Sequence, residues 1–338
     1  MDILESMARG GHDRVIAVHH EASGLRAWIA LHHLGHGPAY GGIRVLNYRS
    51  EADALHDALR LSRAMTLKCV LAGVKGGGGK TIVMAEHMMD RSEAMKALGR
   101  EIEALGGLYQ TGPDAGFTAQ DRIDLSSETS HAAQFFSSGE LRSGGEATAE
   151  GADHGIRAAL DFLGTPEVSD ISIAIQGLGS VGMALAKRYL AAGARVFAAD
   201  VNPEAATTAE EMGVEIVAPA KILEVSCDVL APAALGGTVH DLSISRMNTR
   251  IVAGVANNVL GHAQQAELLR QRGILFLPDF VLNAGALIEG SGYSRTGRED
   301  WTEEIAGIGK TMREILERAD AENKSTRIVA EQMAMERF

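Results

Sequence analysis

The chain has 338 residues, of which 46% are hydrophobic, so it is long enough for two globular domains with apolar cores. Acidic residues outnumber basic ones by 44 to 32 and no basic run occurs, which argues against nucleic acid as a partner. The two cysteines exclude a disulfide framework, and the absence of a membrane-length apolar run or a signal-peptide core predicts a cytoplasmic protein with no membrane partner. Because His32, His33 and His36 lack a metal-ligand spacing, we interpret them as surface or loop residues and expect no metal.

Strand and helix patterns alternate in the first part of the chain. Runs rich in β-branched and aromatic residues predict strands, and apolar residues at three- and four-residue spacing predict helices. Ser50 and Thr118 precede two of the helical patterns and are the predicted N-caps. In chain order the patterns predict strands over 14–19 and 25–34, a helix over 50–67, a strand over 81–85, a helix over 92–105, a strand over 108–110 and a helix over 118–127.

Four consecutive glycines, Gly76 to Gly79, lead directly into Lys80, and Lys68 stands near the end of the helix before them. Such a run costs backbone entropy, so it indicates a tight turn or a close approach of another group. One lysine beside that approach could bind a carboxylate as a point charge. The other could act as a base if burial beside a second cation lowers its pKa. A flexible surface loop between two solvated lysines is the alternative that these residues leave open.

The composition changes over 135–145, FFSSGELRSGG, where helix-forming residues are scarce. We interpret this segment as a hinge between a domain of residues 1–138 and a second of residues 139–338. A helix over 148–162 is followed by a strand, a glycine turn, a helix and a strand, which is typical of a parallel α/β unit. A charged amphipathic helix is predicted over about 302–323, and the sequence leaves open whether it packs back on the first domain.

A dinucleotide-binding pattern follows the predicted strand over 171–176. Gly177 would allow a tight turn, Gly179 would let a pyrophosphate approach the start of the next helix, and Gly182 would permit close packing of that helix on the strand. Asp200 ends the next predicted strand, where an acidic side chain binds a ribose 2′-hydroxyl. The same carboxylate would repel the 2′-phosphate of NADP, so the sequence predicts NAD as the cofactor.

Two later segments, 230–237 and 251–258, each run from a predicted strand into small residues. In a doubly wound sheet the carboxyl ends of the strands line the ligand crevice. Asn257 and Asn258 would lie there, with amides able to bond a carboxamide or a carboxylate. A plain turn is the alternative interpretation of this pair.

Taken together, these segments resemble the glutamate, leucine, phenylalanine and valine dehydrogenase family, most closely its leucine/phenylalanine branch. The resemblance implies an α/β fold with an N-terminal substrate-binding and oligomerisation domain, a doubly wound Rossmann-type NAD-binding domain and a cleft between them. It also implies reversible, NAD-dependent oxidative deamination of an L-amino acid to a 2-oxo acid and ammonia, by a homo-oligomer. Nearly the whole chain is covered, through GPAYGGIR (37–44), MTLKCVLAGVKGGGGK (65–80), TGPD (111–114), SGG (143–145) with Thr148, QGLGSVG (176–182), ALGG (234–237), GVANN (254–258) and LPDFVLNAGALI (277–288).

The resemblance assigns roles to individual residues. Lys68 would bind the substrate carboxylate, Lys80 would be the general base that activates water, and Asp114 would shuttle the proton of the amino group. Two lysines in one cleft are expected to depress each other's pKa, with Asp114 holding one of them in place. Gly41, Gly42 and Met65 would line the substrate cleft, together with Asn257 at the substrate carboxylate. The expected cofactor contacts are Gly177, Gly179, Ser180, Val181, Gly182, Asp200, Thr148, Ala233, Ala256 and Asn258.

By position in the matched motifs, the pocket for the substrate side chain would be set by Tyr40, Met65, Gly112, Leu287 and Gly290. Gly112 and Leu287 resemble the phenylalanine branch, because the leucine branch usually carries alanine and valine there. Gly290 lacks the side chain of the valine that the leucine type has. The added volume predicts a preference for phenylalanine or another bulky apolar amino acid. Leucine-like aliphatics are the alternative, since Tyr40 could cut into that space.

One departure from the family and two other functions remain to be weighed. The segment EATAEGADHG (146–155) carries more charge than is usual in the family, which leaves its effect on domain closure open. A catalytically silent relative that senses NAD or an amino acid would have no reason to keep Lys68, Lys80 and Asp114. A 2-hydroxy-acid dehydrogenase usually has a histidine paired with an acid beside the substrate, and no histidine stands in such a motif here.

Overall fold

The computed structural model describes residues 2–132, 143–165, 167–234 and 236–337. Contacts divide the chain into two compact units, residues 1–137 and 138–338. The predicted hinge over 135–145 falls mostly in 133–142, outside the described residues. No helix within the described ranges is long and apolar enough to cross a membrane.

The first unit contains the predicted strands and helices, together with α1, β3 and β4, which were not predicted. Ser50 and Thr118 are N-caps as expected, because each hydroxyl accepts the N–H three residues on at 3.1 Å. Short 3₁₀ turns occur at Glu21–Ser23 and Ala85–His87. The elements are α1 (Ile3–Gly10), β1 (Arg14–His20), β2 (Leu25–Leu31), β3 (Ala39–Tyr40), β4 (Ile43–Leu46), α2 (Glu51–Leu71), β5 (Gly77–Met84), α3 (Arg91–Ala104), β6 (Tyr109–Gln110) and α4 (Ala119–Ser126).

The sheet of the first unit has the order β1-β2-β5-β3-β6, and β4 also pairs with β5. Strand β5 runs antiparallel to β2 and parallel to β3 and β4. One apolar cluster on this sheet includes Leu98 and Ile102 of α3, and another includes Leu55 and Leu59 of α2. The sheet is therefore covered by apolar residues of two helices, and β5 lies at its centre.

Gly77 to Gly79 are the first three residues of strand β5 and Gly76 directly precedes it, so the flexible-loop alternative is wrong. A Cβ atom on Gly77 would lie 1.9 Å from the carbonyl oxygen of His33, and one on Gly78 would lie 2.1 Å from that of Ser62 on α2. A Cβ on Gly79 would lie 2.6 Å from the ring of Tyr109. The predicted close approach is therefore one of backbone on backbone, which lets α2 lie directly against the strand that carries Lys80.

His32 lies in the loop directly after β2, as the interpretation allowed, but its side chain is buried and not on the surface. Its Nε2 lies 2.9 Å from the Gly10 carbonyl oxygen and its Nδ1 lies 2.8 Å from Oγ1 of Thr66. The same Thr66 oxygen accepts the Gly78 N–H at 2.8 Å. Burial and the neighbouring His12 lower the pKa of His32 to about 4, so the ring is neutral in the folded unit. Among the described residues, no cluster of histidine, cysteine and acidic side chains could hold a metal.

The second unit has one parallel sheet with the strand order β12-β11-β10-β7-β8-β9, the doubly wound arrangement predicted from the sequence. The order reverses between β7 and β10, which is the switch point of the sheet. Its 3₁₀ turns are Val168–Asp170 and Pro219–Glu224. The elements are α5 (Gly144–Phe162), β7 (Ser172–Gln176), α6 (Ser180–Ala191), β8 (Arg195–Ala199), α7 (Pro203–Glu211), β9 (Glu215–Ile216), β10 (Ser226–Pro232), α8 (Asp241–Arg246), β11 (Asn248–Ala253), α9 (Gln265–Gln271), β12 (Leu275–Leu277), α10 (Asp279–Leu282), α11 (Gly285–Thr296), α12 (Thr302–Glu322) and α13 (Thr326–Glu336).

Helix α5 begins at Gly144, four residues before the predicted start, with Ser143 as its N-cap. Two of the acidic residues in this charged segment are paired within the second unit. Glu150 lies 3.3 Å from Arg188 of α6, and Asp153 lies 2.8 Å from Arg157 one turn further along α5. The predicted C-terminal helix is present as α12 and packs against α5 in the same unit.

Candidate active site

Lys80 and Asp114 meet in the first unit. Strand β5 carries Lys80, and Asp114 lies in the loop after β6, where its N–H donates to the Ile43 carbonyl oxygen at 3.1 Å. The Lys80 Nζ atom is 2.8 Å from Oδ2 of Asp114, and the lysine side chain is only 7% exposed. The expected contact between a buried lysine and this aspartate is therefore present.

The environment of the pair shifts both pKa values. Burial lowers the pKa of Lys80, Asp114 acts in the opposite direction, and the charge of Arg44 adds to the lowering. Burial tends to raise the pKa of Asp114, but Lys80 and Arg44 outweigh it, so the pKa of this carboxyl is lowered. The neutral amine that a general base requires is thus more accessible than in a solvated lysine.

From the sequence, Lys68 was expected to be the second cation that lowers the pKa of Lys80. In the structure, Arg44 is a neighbouring cation that has this effect. Its Nε atom donates to Oδ2 of Asp114 at 2.7 Å, and its Nη1 atom lies 3.1 Å from Oδ2 of Asp57. The hydroxyl of Tyr48 donates to the same Asp57 oxygen at 2.8 Å. Sequence reasoning missed Arg44, Asp57 and Tyr48, although Arg44 ends the quoted GPAYGGIR segment.

Gly41 and Gly42 bring the loop between β3 and β4 against the Lys80–Asp114 pair. A Cβ atom on Gly41 would lie 1.8 Å from the carbonyl oxygen of Gly79. One on Gly42 would lie 3.1 Å from the Cβ of Asp114. The N–H of Ile43 donates to the Gly112 carbonyl oxygen at 2.8 Å, which fixes the loop that ends in Asp114. A side chain at Gly41 would collide with backbone, so glycine is needed there for this approach.

The other predicted substrate contacts of the first unit lie on α2 and β3. Lys68 is buried on α2, and Met65 is half-buried one turn before it. Tyr40 is buried on β3 with its ring against Gly76, where a Cβ atom would lie 2.6 Å from the ring. The tyrosine ring therefore fills the space that the first glycine of the run leaves.

The glycine turn of the second unit has the geometry expected of a dinucleotide site. Gly177 has a φ of 97°, which favours glycine, and a Cβ on Gly182 would lie 1.9 Å from the Gly177 carbonyl oxygen. Around the Cβ position of Gly179 there is open space. Helix α6 starts at Ser180 and has no side-chain cap, so its first N–H groups suit an anion. Val181 also lies in this first turn.

Asp200 directly follows β8 and holds the glycine turn. Its Oδ2 atom accepts the N–H of Leu178 at 2.6 Å, and its Oδ1 atom accepts the N–H of Asn202 at 2.7 Å. These backbone hydrogen bonds from Asn202 and Leu178 lower the pKa of Asp200, so the carboxylate is charged at neutral pH.

Ala233 and Ala256 continue this edge of the sheet, because each follows a strand and donates its N–H to the end of the neighbouring strand at 2.8 Å. Asn258 has a φ of 53°, and its N–H donates to Oδ2 of Asp279 at 2.6 Å. The Nδ2 atom of Asn283 donates to Oδ1 of the exposed Asn257 at 2.9 Å. This bond orients the Asn257 amide, and Asp279 is a further residue that sequence reasoning missed.

The remaining predicted residues of the second unit lie on two helices. Thr148 lies within α5, and its hydroxyl donates to the Gly144 carbonyl oxygen at 2.7 Å. Leu287 is half-buried and Gly290 is buried on α11. Of the predicted site residues, the structure therefore groups Gly41, Gly112 and Lys80 around Asp114, and the glycine turn around Asp200.

Comparisons with known proteins find matches to both units of the chain. The family description "Glu/Leu/Phe/Val dehydrogenase, dimerisation domain" matches residues 12–134, and "Glutamate/Leucine/Phenylalanine/Valine dehydrogenase" matches residues 201–334. A leucine dehydrogenase of Thermoactinomyces intermedius is 37% identical over 100% of this chain and 94% of its own length. The chain belongs to the Glu/Leu/Phe/Val dehydrogenase family.

Within the Glu/Leu/Phe/Val dehydrogenase family, this chain is similar to enzymes that are named for different substrates. A phenylalanine dehydrogenase of Caldalkalibacillus thermarum is 36% identical over 97% of this chain and 91% of its own length. The crystal structure of an L-tryptophan dehydrogenase from Nostoc punctiforme matches with a TM-score of 0.87 and 32% identity, over 99% of this chain and 98% of the other. Residues 141–238 also match the NAD binding domain of D-isomer specific 2-hydroxyacid dehydrogenases, which fits the dinucleotide turn found here.

Proposed function

We propose that this chain is an NAD-dependent L-amino-acid dehydrogenase that deaminates apolar amino acids, with phenylalanine-like side chains favoured. Oxidoreductase chemistry on a CH–NH₂ group with NAD is common to the leucine and phenylalanine dehydrogenases that it resembles over nearly its full length. The observation that carries the assignment to this chain is the buried contact of 2.8 Å between Lys80 and Asp114, beside Arg44. A buried lysine with a lowered pKa is the general base that such a reaction requires.

The proposed roles follow from what each group can donate or accept. Bound NAD would accept a hydride from the α-carbon of the amino acid. Asp114 is charged and takes a proton from the amino group, and neutral Lys80 then removes a proton from the water that attacks the iminium carbon. Asp114 then returns its proton to the nitrogen of the resulting carbinolamine, the C–N bond breaks to release ammonia, and the carbinolamine hydroxyl releases its proton to water as the 2-oxo acid forms. Lys68 would bind the substrate carboxylate as a point charge, with Asn257 assisting through its amide.

The residues of the second unit fit NAD. The open space at Gly179 and the uncapped first turn of α6 suit a pyrophosphate. The close packing of Gly182 on Gly177 holds the start of α6 against the glycine turn, which suits it as well. Asp200 would accept a ribose hydroxyl and repel a 2′-phosphate. Arg195 lies at the other end of β8, where its Nε atom donates to Glu215 at 2.6 Å. Arg195 therefore binds Glu215 and lies away from the expected position of a 2′-phosphate. Ser180, Val181, Thr148, Ala233, Ala256 and Asn258 complete the proposed cofactor site.

The preference for a bulky apolar substrate rests on the pocket residues inferred from the sequence. Gly112 and Gly290 lack side chains, and neither Tyr40 nor Leu287 carries a charge, so nothing in this set could pair a second carboxylate. Glutamate is therefore not expected as a substrate. Leucine-like aliphatics are the second candidate, which the similarity to leucine dehydrogenases also favours.

We further propose that residues 1–138 form the substrate-binding and catalytic domain and residues 139–338 the NAD-binding domain. Because residues 12–134 match a dimerisation domain, we expect a homo-oligomer assembled through the first domain.

The preference is tested by measuring kcat/KM for phenylalanine, tryptophan, leucine, valine and glutamate with NAD. One methylene in an apolar pocket is worth about 1–3 kcal/mol, so phenylalanine should lead by a graded margin over the aliphatic substrates. A lead for valine or glutamate would contradict the proposed pocket while leaving the family assignment intact.

A further inference from the structure

The two cations around Asp114 contact the same carboxylate oxygen. Lys80 Nζ lies 2.8 Å from Oδ2, and Arg44 Nε lies 2.7 Å from the same atom. Within the described part of the chain, no hydrogen bond or ion pair reaches the other oxygen, Oδ1. The carboxylate is therefore held on one side only.

Arg44 is itself bound by a second carboxylate, that of Asp57. Asp57 on α2 accepts from Arg44 Nη1 at 3.1 Å and from the Tyr48 hydroxyl at 2.8 Å, both at Oδ2. The other Asp57 oxygen lies 2.6 Å from Arg60 on the same helix. Arg44 and Asp57 are 16% and 17% exposed, so the pair is shielded from competing water. The planar guanidinium bridges the two carboxylates with different nitrogen atoms, which a single ammonium group cannot do in the same geometry.

We propose that Arg44 is a positioning residue that fixes Oδ2 of Asp114 throughout the reaction, so that Oδ1 is the oxygen that exchanges a proton with the substrate nitrogen. This inference rests on the proposed function. As the N–H bond of the substrate ammonium breaks, an O–H bond forms at Oδ1, and the same proton returns to the departing ammonia. Lys80 must be neutral before it can act as the base, and its attraction for Asp114 is weaker in that state. Arg44 keeps its charge and retains the carboxylate in place.

Arg44→Gln and Arg44→Lys separate charge from geometry, and Arg26→Gln is the matched control. Arg26 forms an exposed ion pair with Glu51 in the same unit, at 3.4 Å. In Arg44→Gln we expect kcat to fall by about 10²-fold or more, because proton transfer through a misplaced carboxylate is impaired. The rise of kcat/KM with pH should also move upward by about one unit, since losing a cation raises the proton affinity of the Lys80–Asp114 pair.

Arg44→Lys keeps the charge but loses the planar guanidinium that bridges the two carboxylates. Its pH profile should therefore stay near that of the wild type while kcat still falls. Tyr48→Phe should lower kcat in the same direction by a smaller factor, with the KM for NAD unchanged in every variant. A wild-type kcat and pH profile in Arg44→Gln would overturn the inference. If Arg44→Gln does not fold, an undiminished kcat in Arg44→Lys would overturn it instead. A wild-type protein that oxidises no L-amino acid with NAD would contradict the proposed function itself, before any Arg44 variant is compared.

Discussion

Lys80 and Lys68 are buried on different elements of the first unit, β5 and α2, and we expect them to contribute to different steps. Lys80→Ala should lower kcat by about 10²–10⁴-fold, because it removes the general base, while the fold and NAD binding persist. Lys68→Ala should act mainly by raising the substrate KM, because it removes a carboxylate partner. Steady-state kinetics of both variants tests this division, and a near-normal kcat in Lys80→Ala would rule out the lysine as the base.

Asp200 should determine the choice of cofactor, because it stands charged at the end of β8. The wild type should be faster with NADH than with NADPH, and Asp200→Ala should lose much of this discrimination. Asp228→Ala is a matched control, since that carboxylate also accepts a backbone N–H, from Ser172 at 2.9 Å. Initial rates with both cofactors provide the measurement. NADPH rates equal to or above NADH rates in the wild type would contradict the assignment.

The neutral ring of His32 should make the first unit sensitive to acid. Its pKa is about 4 in the folded unit and about 6.5 when unfolded, so the unfolded chain binds more protons between these values. The contribution of His32 to the free energy of unfolding is complete above pH 6.5 and falls as the pH drops toward 4, by up to about 3 kcal/mol.

Urea unfolding between pH 4 and pH 7 measures this effect in a Trp301→Phe background, where Trp28 on β2 is the remaining tryptophan. The additional variant His32→Gln should be less stable at pH 7 and should show a weaker dependence on pH. An equal dependence on pH in both proteins would assign the acid sensitivity to other groups.

At the level of secondary structure, the glycines of β5 should tolerate no side chain. In Gly78→Ala, the new Cβ would lie 2.1 Å from the Ser62 carbonyl oxygen and 2.2 Å from the Thr66 nitrogen, both backbone atoms of α2. We expect a loss of about 1–3 kcal/mol in the free energy of unfolding, together with reduced activity because β5 carries Lys80.

Gly307→Ala is the control for this substitution, because Gly307 lies in α12 with nothing within 4 Å of its Cβ position. Alanine is the better helix former by about 0.5–1 kcal/mol, so this variant should be slightly stabilised. Thermal unfolding of both variants provides the comparison, and an unperturbed Gly78→Ala protein would contradict the close packing of α2 on β5.

Local patterns predicted most elements because apolar periodicity reflects which face of a strand or helix is buried. The start of β5 escaped prediction because four glycines locally favour a turn. In the structure, close packing against the backbone of α2 stabilises a strand instead. Strand β3 has two residues and β4 four, too few to show a period. His32 was assigned to the surface or a loop, and its burial escaped prediction because its partners, Gly10 and Thr66, are distant in sequence.

The site was only partly predictable for the same reason. The dinucleotide turn is local, so the spacing of its glycines and the following strand sufficed to predict it. Lys80 and Asp114 are far apart in sequence, and their pairing came from the family resemblance, since no local pattern links the two segments. Arg44 reaches Asp114 because the adjacent Ile43 forms backbone hydrogen bonds with Gly112 and Asp114, and it reaches Asp57 on α2. A sequence pattern does not contain either neighbour relationship.

For the whole molecule, the relatives that match nearly its full length include dehydrogenases of leucine, phenylalanine and tryptophan. The residues proposed to act on the amino acid lie mainly in the first unit, and those proposed to hold NAD lie in the second. We therefore expect both units to be required for turnover, and a variant of Asp114 to lose turnover while still binding NAD.

The most direct test of amino-acid dehydrogenation is the dependence of NADH oxidation on ammonium. Phenylpyruvate and NADH are supplied to the wild-type protein with and without ammonium, and the loss of NADH absorbance is followed. We predict turnover that requires ammonium and yields phenylalanine. Equal turnover without ammonium would instead indicate reduction to a 2-hydroxy acid. A lack of turnover with every 2-oxo acid, with or without ammonium, would indicate a catalytically silent relative and contradict the proposed reaction.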